Sequence, residues 1–187
     1  LTATPPTAST SQVLGNLESM EPITNNFMTR NTLSGDFPII NKYLVNDLIK
    51  LNLWDTKMKD RILHSQGSIQ DIQEIPDDLK KLYKTVWEIP QRVLIDMSRD
   101  RGIFTDHTQS LNLYVTAPSI AKISSMHFYS WKQGLKTGCY YLRTRSITSA
   151  IQFTVSKENI VKKDTQKEMS DLYCSIDNKD ACVSCSG

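Results

Sequence analysis

The stretch SMHFYSWKQGLKTGCYYLRTR, Ser125–Arg145, sets two adjacent tyrosines, Tyr140 and Tyr141, close to a histidine, a tryptophan and several basic residues. Successive side chains of a strand point to opposite faces, so neighbouring phenols on a regular strand would diverge. Gly138 precedes them and can adopt dihedral angles that other residues avoid. The sequence therefore allows a bend that stacks the two rings for stepwise transfer of an electron and a proton. The alternative is one core ring and one surface ring, since aromatic residues fit pleated strands well.

Length and composition are those of an ordinary globular protein, with 187 residues, 39% of them hydrophobic and 22% charged. A net charge of +2 is too small to predict binding to nucleic acid or to an anionic membrane. No apolar run approaches the roughly 20 residues that a spanning helix needs, and the N-terminus lacks a signal-peptide pattern. We therefore expect a cytoplasmic protein with no nucleic-acid or membrane partner. Because the chain does not begin with Met, we also expect it to be part of a longer protein.

Hydrophobic spacing predicts the secondary structure of most of the chain. Strands are predicted at 1–4, 27–32, 110–117, 138–144 and 151–155, and helices at 41–53, 56–64, 76–86, 91–101 and 119–136. Apart from the strand at 27–32, the polar, turn-rich stretch 16–38 is predicted to be an irregular connection. Where strands alternate with helices, neighbouring strands run parallel in one sheet. The sequence therefore predicts an α/β fold.

Small hydroxyl residues stand directly before the first apolar helical positions, in the order Thr7, Ala8, Ser9, Thr10 and Ser11. Free amides at a helix start, hydroxyl groups and the positive end of the helix dipole together form an anion site. The same residue types also cap helices whether or not an anion binds. The residues by themselves leave both roles open.

His127 lies among apolar residues of the helix predicted at 119–136, with Ile123, Met126 and Trp131. No Cys, Asp or second His stands at ligand spacing nearby. We therefore expect a packed, hydrogen-bonded histidine and no metal site.

The composition changes after residue 155, where charged residues replace apolar ones, so 156–187 is predicted to be a flexible tail. The tail ends in Cys182-Val183-Ser184-Cys185, and a Cys-x-x-Cys pair is either a redox dithiol or half of a zinc site. Only Cys174 is near enough to add a ligand, and the tail has no His. The pattern therefore favours a redox dithiol in a reducing compartment.

Several stretches, in order along the chain, resemble the catalytic large subunit of class Ia ribonucleotide reductase, eukaryotic or viral type. They are PTASTSQ at 6–12, GSIQDIQEIPDDLK at 67–80, LYKTVWE at 82–88, TQSLN at 108–112, the stretch 127–145, and the terminal Cys-x-x-Cys. The resemblance implies the C-terminal part of a ten-stranded α/β barrel over residues 1–155, followed by a flexible redox tail at 156–187.

The resemblance also implies roles for particular residues. The diphosphate of a ribonucleoside diphosphate would be bound by Thr7, Ala8, Ser9 and Thr10. Tyr140 and Tyr141 would relay a radical from a small subunit with a diiron-tyrosyl cofactor, Tyr141 facing that subunit and Tyr140 facing a catalytic cysteine. Cys182 and Cys185 would reduce an active-site disulfide and then be reduced by thioredoxin or glutaredoxin. Cys139, where the family usually has Met, would only pack.

The remaining catalytic parts would lie upstream of Leu1, namely the thiyl-radical cysteine with its neighbouring Asn and Glu and the sites for ATP and dATP. The segment itself is then expected to bind no metal or cofactor and to be inactive alone. The full-length subunit would form a homodimer or higher oligomer that makes 2′-deoxyribonucleoside diphosphates for DNA synthesis. Two alternatives stay open, a non-catalytic thiol redox module with the tyrosines in its core, and a zinc-binding interaction module.

Overall fold

A computed structural model describes residues 1–33 and 35–145, which form six α-helices, four strands and one 3₁₀ turn. The helices are α1 Ala8–Leu14, α2 Lys42–Lys50, α3 Thr56–His64, α4 Asp77–Leu82, α5 Gln91–Gly102 and α6 Ile120–Lys132. The strands are β1 Phe27–Thr32, β2 Gly35–Ile40, β3 Asn112–Val115 and β4 Tyr141–Thr144, and the 3₁₀ turn is Val86–Glu88. The predicted strand at 151–155 and the tail with Cys174, Cys182 and Cys185 lie outside the described residues.

Two compact units make up the described chain. The first joins Leu1–Pro22 to Trp87–Arg145 and is called here the tyrosine unit. The second is Ile23–Val86 and is called the hairpin unit. Every predicted site residue that the structure describes belongs to the tyrosine unit. Within 1–33 and 35–145, no helix combines the length and the apolar character needed to cross a membrane.

The hairpin unit is formed by the antiparallel pair β1–β2 and the helices that follow it. The helices predicted at 41–53 and 56–64 are found as α2 and α3, and each begins at a side-chain cap: Asn41 accepts from the amides of Tyr43 and Leu44, and Asp55 accepts from the amide of Met58. Apolar residues at helical spacing fill the core, as the sequence predicts. The buried core residues are Leu44, Leu48, Met58, Ile62, Ile69, Ile72, Ile75 and Tyr83.

A buried asparagine, Asn26, holds the hairpin unit together at the start of β1. Its side-chain amide donates to the carbonyls of Gly67, at 3.1 Å, and of Tyr83, at 2.9 Å. Its side-chain oxygen accepts from Nδ2 of Asn41 at 2.9 Å. Buried polar groups stabilise a fold only when they are paired, and this one has three partners.

The tyrosine unit contains a parallel βαβ arrangement in which α6 connects β3 to β4. The register aligns Asn112 with Tyr141 and Val115 with Thr144. Helix α5 packs against α6 and β3. The buried residues of β3 are Leu113, Tyr114 and Val115, so this strand lies inside the unit and supports β4.

Some boundaries differ from the sequence-based prediction. The N-terminal strand is reduced to one parallel bridge between Thr4 and Gln109. Helix α4 ends at Leu82, whereas its apolar face was expected to continue to Val86. Strand β2 was not predicted, because the sequence up to Pro38 is polar and rich in turn residues. Pro38 cannot donate to a ladder, but a two-stranded hairpin tolerates proline at its edge.

Candidate functional site

Tyr140 and Tyr141 lie side by side in the tyrosine unit. Their ring centroids are 4.4 Å apart and their planes meet at 64°, an edge-to-face contact rather than a parallel stack. The two residues are 56% and 49% exposed. The hydrogen bond with Tyr141, and then the charge interaction with it and burial, raise the pKa of Tyr140 above its ordinary value. Two hydrogen-bonded phenols in ring contact have the geometry needed to exchange an electron and a proton.

The backbone explains why the neighbouring rings do not diverge. Strand β4 begins only at Tyr141, so Tyr140 precedes it and escapes the strand alternation that would separate the side chains. The amide of Tyr140 donates to the carbonyl of Leu111 at 2.6 Å, and Tyr141 is paired with Asn112. The tyrosine pair is thus fixed at the junction between a loop and a strand.

Gly138 acts differently from the sequence-based expectation. It is not one of the glycines with positive φ, so the expectation of unusual dihedral angles at Gly138 is wrong. A Cβ atom at this position would lie 2.8 Å from Nδ1 of His127 on α6. Glycine lets the chain before β4 pass very close to that ring, and a side chain at 138 would make either the exposed His127 ring or the chain itself move.

Two arginines at the end of the described chain lie over aromatic rings. The Arg143 guanidinium lies 4.9 Å from the ring centroid of Tyr141, and that of Arg145 lies 5.4 Å from the ring of Trp87. Trp87 meets Tyr114 edge to face at 5.2 Å. Cations over aromatic rings are attracted by the ring quadrupole, so these contacts hold the aromatic side chains in place.

Two further groups near the pair have shifted pKa values. Burial, and then the negative charge of Glu21, raise the pKa of Tyr114, while Arg143 opposes that shift. Burial raises the pKa of the Cys139 thiol. Cys139 therefore stays a neutral thiol at physiological pH, in agreement with the packing role expected for it.

The predicted phosphate-binding residues are exposed, and they are Thr7, Ala8, Ser9 and Thr10, called here the phosphate-binding loop. The sequence placed them before the helix, but Thr7 is the N-cap of α1 and the other three form its first turn. The first intrahelical bond runs from the amide of Ser11 to the carbonyl of Thr7 at 2.9 Å. The amides of Ala8, Ser9 and Thr10 therefore precede the hydrogen bonds of the helix. Thr7 occupies the N-cap position but makes no side-chain cap bond, so capping does not account for its hydroxyl group.

One short segment contacts both groups of predicted site residues. Gln109 bridges to Thr4, three residues before the phosphate-binding loop, and the Ser110 hydroxyl donates to the Thr4 carbonyl at 3.1 Å. The next residue, Leu111, accepts the hydrogen bond of the Tyr140 amide. Segment 109–111 thus holds the loop and the tyrosine pair in one framework.

The expectation that His127 on α6 is packed is also wrong. His127 is exposed rather than packed, and Trp131 is 72% exposed. With Ile123, Ser124 and Phe128 they line an open cavity of about 450 Å³. Among residues 1–33 and 35–145, no group of three or more His, Cys, Asp or Glu side chains has the arrangement to hold a metal ion.

Sequence reasoning did not find two side chains that bond to the edge of β3. Glu21 bonds to Asn112, and Gln91 accepts from the amide of Tyr114 at 2.8 Å. Glu21 stands in a polar, turn-rich stretch that predicted only an irregular connection. Its partner Asn112 lies 91 positions further along, a distance that no local pattern reports.

Comparison with known proteins gives the family. The model of the ribonucleotide reductase barrel domain matches residues 1–141. The chain belongs to the ribonucleotide reductase family. The large subunit of ribonucleoside-diphosphate reductase from Danio rerio is 49% identical over 197 residues, which is 99% of this chain and 25% of that protein. The large subunit from Dictyostelium discoideum is 60% identical over 155 residues, 83% of this chain and 18% of that protein.

A solved ribonucleotide reductase structure is also similar. The class Id alpha subunit from Actinobacillus ureae superposes with a TM-score of 0.65 at 29% identity, over 75% of this chain and 25% of that one. The chain thus spans about a quarter of the length of the Danio rerio and Actinobacillus ureae proteins. The resemblance read from the sequence and the α/β fold class are confirmed. The roles assigned to individual residues stay predictions.

Proposed function

We propose that this chain is the C-terminal part of the catalytic large subunit of a ribonucleoside-diphosphate reductase. The full-length subunit would convert ribonucleoside diphosphates to 2′-deoxyribonucleoside diphosphates by radical chemistry. The observation that carries the proposal is the contact between Tyr140 and Tyr141, whose ring centroids lie 4.4 Å apart. Family membership and the phosphate-binding loop held by the same framework support it.

In this proposal the tyrosine pair conducts a radical in single steps. When one ring is a phenoxyl radical, the other phenol gives up one electron and one proton; the first ring becomes a phenol again. The hydrogen bond between the two side chains, which raises the pKa of Tyr140, gives this proton a direct path from one phenol to the other. Tyr141 would face a small subunit whose diiron-tyrosyl cofactor supplies the oxidising equivalent, and Tyr140 would face a catalytic cysteine upstream of this segment.

The phosphate-binding loop would hold the substrate diphosphate. The amides of Ala8, Ser9 and Thr10 precede the helical bonds, and the Thr7 hydroxyl is not used as a cap. Amide and hydroxyl donors in one exposed loop match the acceptor oxygens of a diphosphate. The proposal extends to a ten-stranded barrel completed by upstream residues, to homo-oligomers of the subunit, and to a cytoplasmic location.

The terminal dithiol would restore the active site after each turnover. A thiolate of Cys182 or Cys185 would attack the oxidised active-site disulfide, and the second thiol would close a disulfide in the tail. Thioredoxin or glutaredoxin would then reduce the tail. We expect Cys182→Ser and Cys185→Ser to abolish multiple turnovers with thioredoxin while leaving a single turnover of the pre-reduced enzyme. Stoichiometric zinc bound at these cysteines would contradict this role.

The decisive experiment replaces Tyr140 by Phe in the full-length subunit assayed with its small subunit. A phenylalanine ring has no O–H bond to give up, so we expect turnover to fall by about a hundredfold or more. Tyr43→Phe is the matched control, because Tyr43 is an exposed tyrosine of the hairpin unit. Undiminished turnover of the Tyr140 variant would exclude the radical relay and favour the thiol redox module.

A further inference from the structure

Glu21 is a buried carboxylate bound to one residue of β3. It is 5% exposed, and its two oxygens accept from Asn112, one from the backbone amide at 2.9 Å and the other from Nδ2 at 3.1 Å. A buried carboxylate is costly unless its oxygens are hydrogen bonded. The pairing between these two residues is therefore specific, and it joins the end of segment 1–22 to β3.

These two bonds act where the tyrosine pair is attached. Asn112 is the register partner of Tyr141, and the residue before it, Leu111, accepts the hydrogen bond of the Tyr140 amide. Backbone groups of successive strand residues point to opposite edges. Glu21 therefore binds the edge of β3 that faces away from β4, at the level of the two phenols.

A second side chain on the same edge shows what is particular to Glu21. Gln91 accepts from the amide of Tyr114, two residues further along β3, with a neutral oxygen at 2.8 Å. A neutral acceptor is thus sufficient for a backbone amide on this edge. Glu21 differs because its second oxygen also fixes the side chain of Asn112. Because Glu21 fixes the backbone at Asn112, the register partner Tyr141 can shift less along β4.

Glu21 also ends the segment that carries the phosphate-binding loop. The carbonyl of Glu18 accepts from the amide of Thr7 at 3.4 Å, which brings the chain after α1 back to the start of the loop. Three residues later, Glu21 bonds to β3. The loop and the strand that supports the tyrosines are therefore tied together from this side as well.

We propose that Glu21, through Asn112, is a positioning residue that holds Tyr140 and Tyr141 in the ring contact needed for radical transfer. This inference rests on the proposed function of the pair. The hydrogen bonds of Glu21 go to Asn112, so its proposed role is not to exchange electrons or protons with the phenols. Its role is to keep the backbone at 111–112 fixed while the radical passes.

The test is an exchange of functional groups in the full-length subunit, with Glu21→Gln, Asn112→Asp and the double variant. Asn112→Asp alone sets two carboxylates against each other in a buried site, where like charges repel strongly. In the double variant the new amide at 21 accepts from the backbone amide of 112 and donates to the new carboxylate. The double variant keeps the heavy-atom count, so we expect it to fold. Glu74→Gln is the control, because Glu74 is a surface carboxylate paired with Arg61.

Each variant is prepared with natural Tyr141 for kinetics and, separately, with 3-aminotyrosine in its place; 3-aminotyrosine is oxidised more easily than tyrosine and traps the radical there. Radical yield and the g values of its electron paramagnetic resonance spectrum are measured beside kcat, KM and the melting temperature. The g values report the hydrogen bond that a phenoxyl oxygen receives from its neighbour.

We expect Asn112→Asp to lower kcat, measured with natural Tyr141, and the trapped radical yield by about tenfold or more, with altered g values. The double variant should return to within about threefold of the parent, with the parent's g values and KM. Restoration of the melting temperature without the radical yield would mean that the contact is only structural and would overturn the inference. Unchanged radical yield in both single variants would do the same.

The Tyr140→Phe experiment separates the two levels of the proposal. If that variant turns over normally, the radical relay itself is wrong. If it is inactive while the Glu21 and Asn112 variants keep the parent's radical yield and spectrum, the relay stands and only the role of Glu21 is lost.

Discussion

Gly138 and His127 approach each other so closely that no side chain fits between them: a Cβ atom on residue 138 would lie 2.8 Å from Nδ1 of His127. Real Cβ atoms do not tolerate such a distance, so when the glycine is replaced either the exposed His127 ring turns away or the chain before β4 moves. Gly138 lies two residues before Tyr140, so a movement of the chain at 138 is passed to the tyrosine pair.

Replacing Gly138 by Ala should therefore lower the turnover of the full-length subunit, by about fivefold to tenfold, because a displacement of under 1 Å already weakens transfer between oriented groups. Removing the obstructing ring with His127→Ala should restore most of the activity of the Gly138 variant. Gly102→Ala is the control, since its Cβ meets only Nε2 of Gln109 at an ordinary 3.5 Å. A Gly138 variant as active as the parent would mean that only the His127 ring moves and that the close approach does not position the tyrosine pair.

The phosphate-binding loop allows a test that separates binding from stability. Because the Thr7 hydroxyl makes no cap bond, Thr7→Val should leave the melting temperature nearly unchanged. It removes one donor to the diphosphate, so we expect KM for the nucleoside diphosphate to rise by about threefold to tenfold with kcat nearly constant. Steady-state kinetics of the full-length enzyme measure this, with the exposed Thr116→Val as control. A lower melting temperature with unchanged KM would assign Thr7 to structure alone.

The buried Asn26 contact makes Gly67 sensitive to substitution. Gly67 has a φ of 80°, and its Cβ would lie 2.8 Å from the backbone nitrogen of Asn26. Gly67→Ala should lower the free energy of unfolding by about 2–4 kcal/mol, since backbone strain and a clash add. Gly15→Ala, at a φ of 69° with open space around it, should cost only about 1 kcal/mol. Thermal unfolding compares the two, and equal losses would refute the clash.

The hairpin unit should lose stability at high pH through Tyr83. Its hydroxyl donates to Asp47 at 2.7 Å, and burial together with this bond raises the pKa of Tyr83 to about 12. Because the folded pKa lies above the unfolded value of 10.0, the stabilisation is complete below pH 10 and disappears as the pH rises through about 12.

Tyr83→Phe should therefore lower the melting temperature near neutral pH by about 3 °C and flatten its decline between pH 10 and 12. Melting curves across this pH range check it, with Tyr43→Phe as control. The same contact also weakens at acid pH. Hydrogen bonds from Lys50 and then Tyr83 hold the pKa of Asp47 below its ordinary value. The stabilisation by ionised Asp47 is therefore present above about pH 4 and is lost as the pH falls.

Helices were predicted well because their signals are local. Asn41 and Asp55 cap the helices that follow them, and Leu44 with Leu48 or Met58 with Ile62 repeat at helical spacing within one segment. Strand β2 was missed because the sequence up to Pro38 is polar and rich in turn residues, and only pairing with β1 overrides that preference. Exposure of His127 was missed for a related reason, since spacing along a helix does not tell which neighbours cover it.

The sequence by itself determined the family, the α/β class and the identity of the paired phenols and the hydroxyl-rich loop, because these depend on residue types in a fixed order. Only the tertiary structure decided that Tyr140 precedes β4, that its ring meets Tyr141 edge to face, and that Glu21 bonds to Asn112. Those relationships depend on contacts between segments about 30 to 90 positions apart along the chain. Their strength comes from burial and hydrogen bonds that form only when the chain folds, and no local pattern in the sequence reports these contacts.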